Sequence, residues 1–396
     1  MIYNLASSTW DDQEKLAISK VVASGNYTMG AEVEKFENLF SEYIGVKHSI
    51  MVNSGSSANL ALLAGLKYVK NSTLQEGDEI IVPTVSWSTT FYPVQQLGFI
   101  LRFVDVNRES FNIDVSLIEE AITPRTKVIF AVNLLGNPCD FSKLEEIASR
   151  NNLILIEDNC ESLGARFMGK QTGSFGEGGT HSFFFSHHLC TMEGGMVTTN
   201  NSELADTLRS LRAHGWIRGL GNTNSVHNQS DDNWENLFRF YLPGYNLRPL
   251  EMEGAIGSVQ LQKLSSFIAH RRENAERFKR IFSGSSYYDI QVENGISSWF
   301  GFGFILKGEL KGMRRELISV LESNHIQTRP IVAGNFLNNP VIKYLPHTLY
   351  GNSDVAQDID ENGFFVGNHH FPIEEQLEKL KQVLDGFILR QIGEKL

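Results

Sequence analysis

The chain has 396 residues, 41% of them apolar, and a formal net charge of −11. That length predicts two or three domains, or one large domain with an appendage, and the apolar content allows a substantial core. The acidic balance argues against a nucleic-acid partner, no apolar run reaches membrane-span length, and three widely spaced cysteines imply no disulfide framework. Residues 1–17, "MIYNLASSTWDDQEKLA", carry neither the basic region nor the apolar stretch of a signal peptide, so a cytoplasmic protein is expected.

In "GAEVEKFENLFSEYIG", Val33, Phe36, Leu39, Phe40 and Tyr43 recur at helical spacing with a glycine behind them, which predicts an amphipathic helix. "HSIMVNSGSSANLALLAGLKYV" then reads as a short apolar strand, a turn of small residues and a helix. "DEIIVPTVSWSTTF", "LRFVDV" with "DVSLIEEAI", and "TKVIFAVNLLG" with "DFSKLEEIASRNN" repeat that alternation, and "NLILIEDN" reads as a strand buried on both faces. Strands alternating with helices predict parallel β-α-β units and a three-layer α/β/α domain over residues 1–250. The segment from Gly219 to Gly244, rich in Asn and Asp, reads as a long surface loop. Beyond residue 250 a helical stretch, the aromatic "SSWFGFGFIL" and the amphipathic "RRELISVLESNHIQTRP" predict a smaller α+β domain over 251–396.

Ligands of parallel sheets gather at the carboxyl ends of the strands, and three such ends carry unusual residues. At 53–59, "NSGSSAN" offers a glycine, hydroxyls and a helix N-terminus, which suits a phosphate. Its plainer reading is a helix cap by Ser56 or Ser57. "LILIEDNCES" closes an apolar strand with Glu157 and Asp158, where a poorly solvated carboxylate needs a partner; a cationic ring nitrogen or a salt bridge would serve. "HSFFFSHHLCTMEGG" places His187 and His188 where a strand breaks into a turn. Adjacent strand residues face opposite ways, so the pair is not a metal site; His369 and His370 share that limit.

The stretches "SGSSANLAL", "IVPTVSWSTT", "VNLLGNP", "IEDNCESLGA", "SFFFSHHLCTMEGG" and "LPGYNLRPLEMEGAIG" together resemble pyridoxal phosphate enzymes of the aspartate aminotransferase fold. More closely they resemble the family of sugar aminotransferases that act on nucleotide-linked keto-sugars. One position departs. Counting back from Glu193-Gly194-Gly195, the family's lysine falls on His187, whose imidazole has no primary amine for the internal Schiff base but still works as a base near neutrality. That replacement is similar to the keto-sugar 3-dehydratases, those of colitose biosynthesis above all.

The resemblance implies pyridoxamine 5'-phosphate, formed from pyridoxal 5'-phosphate with L-glutamate as amino donor, and a GDP-linked 4-keto-6-deoxy sugar losing its C3 hydroxyl. By the same resemblance Asp158 pairs with the ring nitrogen, Trp87 stacks on the ring, and Glu161, glutamine in most lysine-bearing relatives, contacts the ring hydroxyl. Gly55, Ser56 and Ser182 bind the phosphate, and Asn246 reaches it from the second subunit of a homodimer. Arg218 and Arg329 are candidates for nucleotide phosphates or glutamate carboxylates; surface ion pairs are the plainer reading for both. Three alternatives stand beside this one. An iron–sulfur dehydratase of CDP-sugars needs four cysteines and the chain has three. An aminotransferase needs a lysine, and none lies between Lys170 and Lys263. A catalytically silent binding subunit would not need Asp158, Ser182, Trp87 and the phosphate turn intact.

Overall fold

The structure is a computed structural model and describes residues 2–393 except 222, 228, 229 and 231. Its centre is an eight-stranded sheet in the order His48–Val52, Gly195–Thr199, Gly178–Ser182, Ile154–Asp158, Thr126–Val132, Glu79–Pro83, Ile100–Val104, His347–Leu349. All neighbours are parallel except Gly195–Thr199, which runs antiparallel to both strands beside it. The sheet is therefore mixed, where alternation alone predicted parallel units. Successive side chains of one strand enter opposite cores: Ile80 and Val82 pack with Leu62, Leu66 and Phe91, while Ile81 packs with Ile129, Phe141 and Leu144. Burial on both faces is what makes the layers three.

The predicted amphipathic helix is Ala31–Ile44, with Val33, Phe36, Phe40 and Ile44 buried. It crosses the 32-residue helix Glu251–Phe282 closely enough that a Cβ at Gly254 would stand 2.6 Å from the Val33 backbone. Only glycine allows that approach.

A second sheet, Tyr288–Ile290, Gly301–Leu306, Gly363–Gly367 and Thr328–Arg329 in that spatial order, packs aromatic residues such as Phe302, Phe304 and Phe364 into a separate core. The two ends of the chain cross over between these bodies. His347–Leu349 extends the large sheet, and Tyr3 is buried in the core of the small sheet. Arg108, just beyond the strand Ile100–Val104, ties the two parts by donating to Asp289 at 3.1 Å and to Asp358. Among its described residues, the stretch 219–244 carries one short helix, Asn233–Asn236.

Candidate active site

Helix Gly55–Tyr68 begins at the carboxyl end of His48–Val52, and its cap is Ser54, whose Oγ accepts from the Ser57 N–H at 3.1 Å. Ser56 and Ser57 are therefore not the cap, and Ser56 stands exposed in the first turn. Gly55 is buried against Ser182 at the end of its own strand: a Cβ at residue 55 would lie 2.5 Å from Ser182 Cβ and 2.9 Å from its Oγ. Gly55, Ser56 and Ser182 thus form one cradle of small groups over a helix N-terminus, and it fits a phosphate.

Asp158 ends the central strand Ile154–Asp158 and is 5% exposed. Its Oδ2 accepts from Asn59 Nδ2 and Thr90 Oγ1, both at 2.8 Å, and its Oδ1 from the Cys160 N–H at 3.2 Å. All three donors are neutral, and among the described residues no ion pair involves Asp158, which sets the salt-bridge reading aside. A buried carboxylate at the end of a strand, held by three donors yet matched by no charge, fits a protonated ring nitrogen. Thr90 lies in helix Ser88–Gln96, and its N–H bonds back to the Trp87 carbonyl, so the Asp158 partner and Trp87 move together. Trp87 itself is 58% exposed. An indole so open, one turn before Thr90, is free to stack on a ring.

Glu157 faces the other way and is structural: Gly173 N–H, Phe175 N–H and Asn133 Nδ2 all donate to it, against a burial that pushes its pKa up to about 8. Glu161 accepts from the Leu135 N–H at 2.9 Å. Burial, with the negative charge of Asp158 adding to it, pushes the Glu161 pKa up to about 7 against that hydrogen bond. Leu135 adopts a left-handed conformation, φ 53° and ψ 31°, to present its amide there.

His187 lies in the turn after Gly178–Ser182, its N–H bonded to the Phe184 carbonyl at 2.9 Å. Its half-buried ring meets Phe184 and Phe300 edge-to-face at 6.2 and 5.4 Å, and its Nδ1 lies 3.5 Å from Ser186 Oγ, at the limit of a hydrogen bond. Burial, and next the charge of Arg271, lower its pKa to about 4, so the imidazole is neutral at physiological pH. His187 and His188 lie past the end of the strand and do not face opposite ways: the His188 ring also meets Phe300, at 5.8 Å, and is buried with its Nε2 paired to the Ser298 carbonyl at 3.1 Å. That contact and the Phe300 N–H to Leu135 carbonyl bond at 3.0 Å join the segment leading into Gly301–Leu306 to the His188 turn and to Leu135.

The remaining predicted residues are not gathered within this chain. Asn246 is exposed, its Oδ1 accepts from Arg248 Nε at 3.0 Å, and among the described residues no hydrogen bond joins it to the cradle. Arg218 is exposed and covers Trp216 at 4.8 Å. Neither Arg218 nor Arg329 forms a salt bridge among the described residues. Arg329 is exposed in the small sheet opposite Phe365, which touches Phe300 at 6.4 Å, so it stands two rings away from His187. Sequence reasoning missed Asn59, Thr90, Leu135 and Phe300. Asn59 and Thr90 sit one helical turn inside the quoted motifs and were legible as buried polar positions; nothing local marks Leu135 or Phe300.

The chain belongs to the DegT/DnrJ/EryC1/StrS aminotransferase family, whose sequence model matches residues 8–384. Among curated relatives, a GDP-4-keto-6-deoxy-D-mannose 3-dehydratase of Yersinia pseudotuberculosis is 50% identical over 96% of this chain and 98% of its own length. The solved Escherichia coli GDP-4-keto-6-deoxy-D-mannose-3-dehydratase with bound hydrated PLP is 50% identical, with a TM-score of 0.95 over 97% of this chain and 100% of that one. Two further structures are each 49% identical over 96% of this chain and 100% of the other. One, a GDP-4-keto-6-deoxymannose-3-dehydratase, holds a trapped PLP–glutamate geminal diamine (TM-score 0.95). The other, ColD, has an adjacent serine and histidine replaced by asparagine and lysine (TM-score 0.94).

Proposed function

We propose that this chain is a PLP/PMP-dependent hydro-lyase that removes the C3 hydroxyl of GDP-4-keto-6-deoxy-D-mannose, with L-glutamate as amino donor and a homodimer as the working unit. One observation carries the reading. The residues that would hold the cofactor, Asp158, Trp87, Gly55 and Ser182, are all present, and His187 occupies the sequence position where the family has its amine. The near-full-length likeness to 3-dehydratases supports it, and so does a smaller match. This chain has a single Ser-His dipeptide, Ser186-His187, and that is the kind of pair replaced in the ColD variant.

When bound, the cofactor supplies an amine for the sugar's C4 ketone and a ring that accepts the electron pair released when a neighbouring C–H bond breaks. The protein's residues divide the rest. Asp158, kept an acceptor by Asn59, Thr90 and Cys160, holds the ring nitrogen protonated. Gly55, Ser56 and Ser182 seat the phosphate, and Trp87 covers the ring. Glu161, whose pKa burial pushes up toward neutrality, could in its protonated form donate as well as accept at the ring hydroxyl, as an amide can. His187 starts neutral, would take up the proton released when that C–H bond breaks, and would return it to the departing C3 hydroxyl. With no primary amine, it cannot hold the cofactor covalently as the family's lysine does. The balance is sugar plus glutamate giving 3-deoxy sugar, 2-oxoglutarate and ammonia. Arg218, Arg329 and the partner's copy of Asn246 complete the site for phosphates and carboxylates.

The test is one incubation of the purified protein with pyridoxal phosphate, L-glutamate and the keto-sugar, read by mass spectrometry. The sugar is expected to lose one oxygen with equimolar 2-oxoglutarate and ammonia. A product with nitrogen at C4 would make the chain an aminotransferase, and an unchanged sugar would overturn the reading.

A further inference from the structure

Cys190 lies three residues beyond His187, and the loop between them makes its own bonds elsewhere. Thr191 N–H bonds to the Phe183 carbonyl, Phe183 N–H to the Gly194 carbonyl and His187 N–H to the Phe184 carbonyl, each at 2.9 Å. These bonds leave the N–H and C=O of buried Cys190 to partners far away in sequence. Gln260 Oε1 accepts from the Cys190 N–H at 3.3 Å, and Trp10 Nε1 donates to the Cys190 carbonyl at 3.0 Å.

Gln260 sits on the long helix Glu251–Phe282 with 0% exposure, and all four of its amide contacts are filled. Beyond Cys190, its Oε1 accepts from Thr9 Oγ1 at 2.6 Å, while its Nε2 donates to the Thr9 carbonyl at 3.2 Å and to Glu14 Oε1 at 2.7 Å. Glu14, itself fully buried, is neutralised by Lys263 Nζ at 2.7 and 2.9 Å. Thr9 and Trp10 end an N-terminal segment that is tied along its length to the small domain. Tyr3 Oη donates to the Gly367 carbonyl, Leu5 N–H to Gln327 Oε1, and Ser7 Oγ pairs with His369 Nδ1, at 2.6, 3.0 and 2.8 Å.

We propose that Gln260 is a positioning residue for His187, and that Thr9 and Trp10 make the N-terminal segment a strap that fixes the loop through Cys190. This inference rests on the role given to His187 above. A fully satisfied buried amide holds one geometry because any shift strands a polar group in the core. Proton transfer is sensitive to that geometry, since a displacement of about 1 Å can cost about a hundredfold in rate. His188, bonded to Ser298, pins the other side of the loop, so His187 sits between two anchors that belong to different parts of the chain.

The experiment compares full-length wild type with Thr9→Val, Trp10→Phe, Gln260→Met and Thr9→Ser. Thr9→Val and Trp10→Phe each remove a single donor, so they decide the matter if Gln260→Met does not fold. We expect kcat for dehydration to fall about tenfold in both, with KM for the sugar and for glutamate changed by less than about twofold, and Thr9→Ser to restore the rate. Hydrogen exchange of residues 186–194 is expected to quicken in the same two variants, and it reads the strap without relying on turnover. Unchanged exchange together with wild-type kcat would overturn the proposal. Equal losses in kcat, KM and thermal stability, not rescued by Thr9→Ser, would do the same by making the network merely structural. A wild type that leaves the sugar unchanged counts against the proposed reaction alone; exchange then still decides the strap.

Discussion

At His187 one substitution of type separates two chemistries on a shared floor. His187→Lys should put an amine back within reach of the cofactor. The variant is expected to retain visible cofactor absorbance through dialysis and to lose dehydration; dehydration at the wild-type rate would remove His187 from proton transfer. Asp158 is tested by Asp158→Asn, which keeps the shape but removes the charge that the ring nitrogen answers. Cofactor affinity and turnover should both fall by at least about tenfold, since each pKa unit of lost stabilisation is about 1.4 kcal/mol. Titration with pyridoxal phosphate and a steady-state assay check the two effects. Gly55→Ala drives a Cβ to within 2.5 Å of Ser182, so the cradle must open. Adding pyridoxal phosphate should then raise the melting temperature of this variant less than that of the wild type.

At the level of elements, the site is a meeting of strand ends with helix starts. Ser54 both ends the approach from His48–Val52 and caps Gly55–Tyr68, so one hydroxyl organises the first turn, the one proposed to take the phosphate. Ser54→Ala should cost about 1 kcal/mol of stability from the lost cap, and it should weaken cofactor binding as well. Urea melts with and without cofactor separate the two, and a pure cap effect would leave the binding constant untouched. Much of this level was legible in the chain. The strand-turn-helix order of "HSIMVNSGSSANLALLAGL" and the apolar strand before Glu157-Asp158 announce their elements by period and composition. The antiparallel strand Gly195–Thr199 was not legible, because a short apolar strand buried on both faces looks the same whichever way it runs.

Across the whole molecule, burial sets an unusual balance of protons. Burial lowers the pKa of His181 to about 3 and those of His187, His369 and His370 to about 4, with Arg271 adding to the effect on the last three, and it lowers His188 too. In the unfolded chain these rings titrate near 6.5. Between about pH 4 and 6.5 the unfolded state therefore binds more protons at these five sites, and stability must fall as pH falls. Glu157, Glu161 and Glu253, raised to about 8, 7 and 7, act in the opposite direction over that window, but they are three against five. The melting temperature is expected to drop steadily from pH 7 to pH 5; a flat or rising profile would show that the carboxyls dominate.

By itself the sequence determined the class of fold, and it pointed to the strand-end carboxylate, the small-residue turn proposed for the phosphate and the missing amine. Those depend on residue type and on spacings of a few positions, which local geometry converts directly into elements and strand ends. Only the tertiary structure decided what surrounds His187: Phe300 beside its ring, Ser298 holding His188, and Gln260 with the N-terminal strap holding Cys190. These partners are separated from the loop by 70 to 180 residues, as in Gln260 to Cys190 and Trp10 to Cys190. Their meeting follows from how the sheet, the long helix and the small domain pack, and packing between remote segments leaves no period or motif in the chain to read.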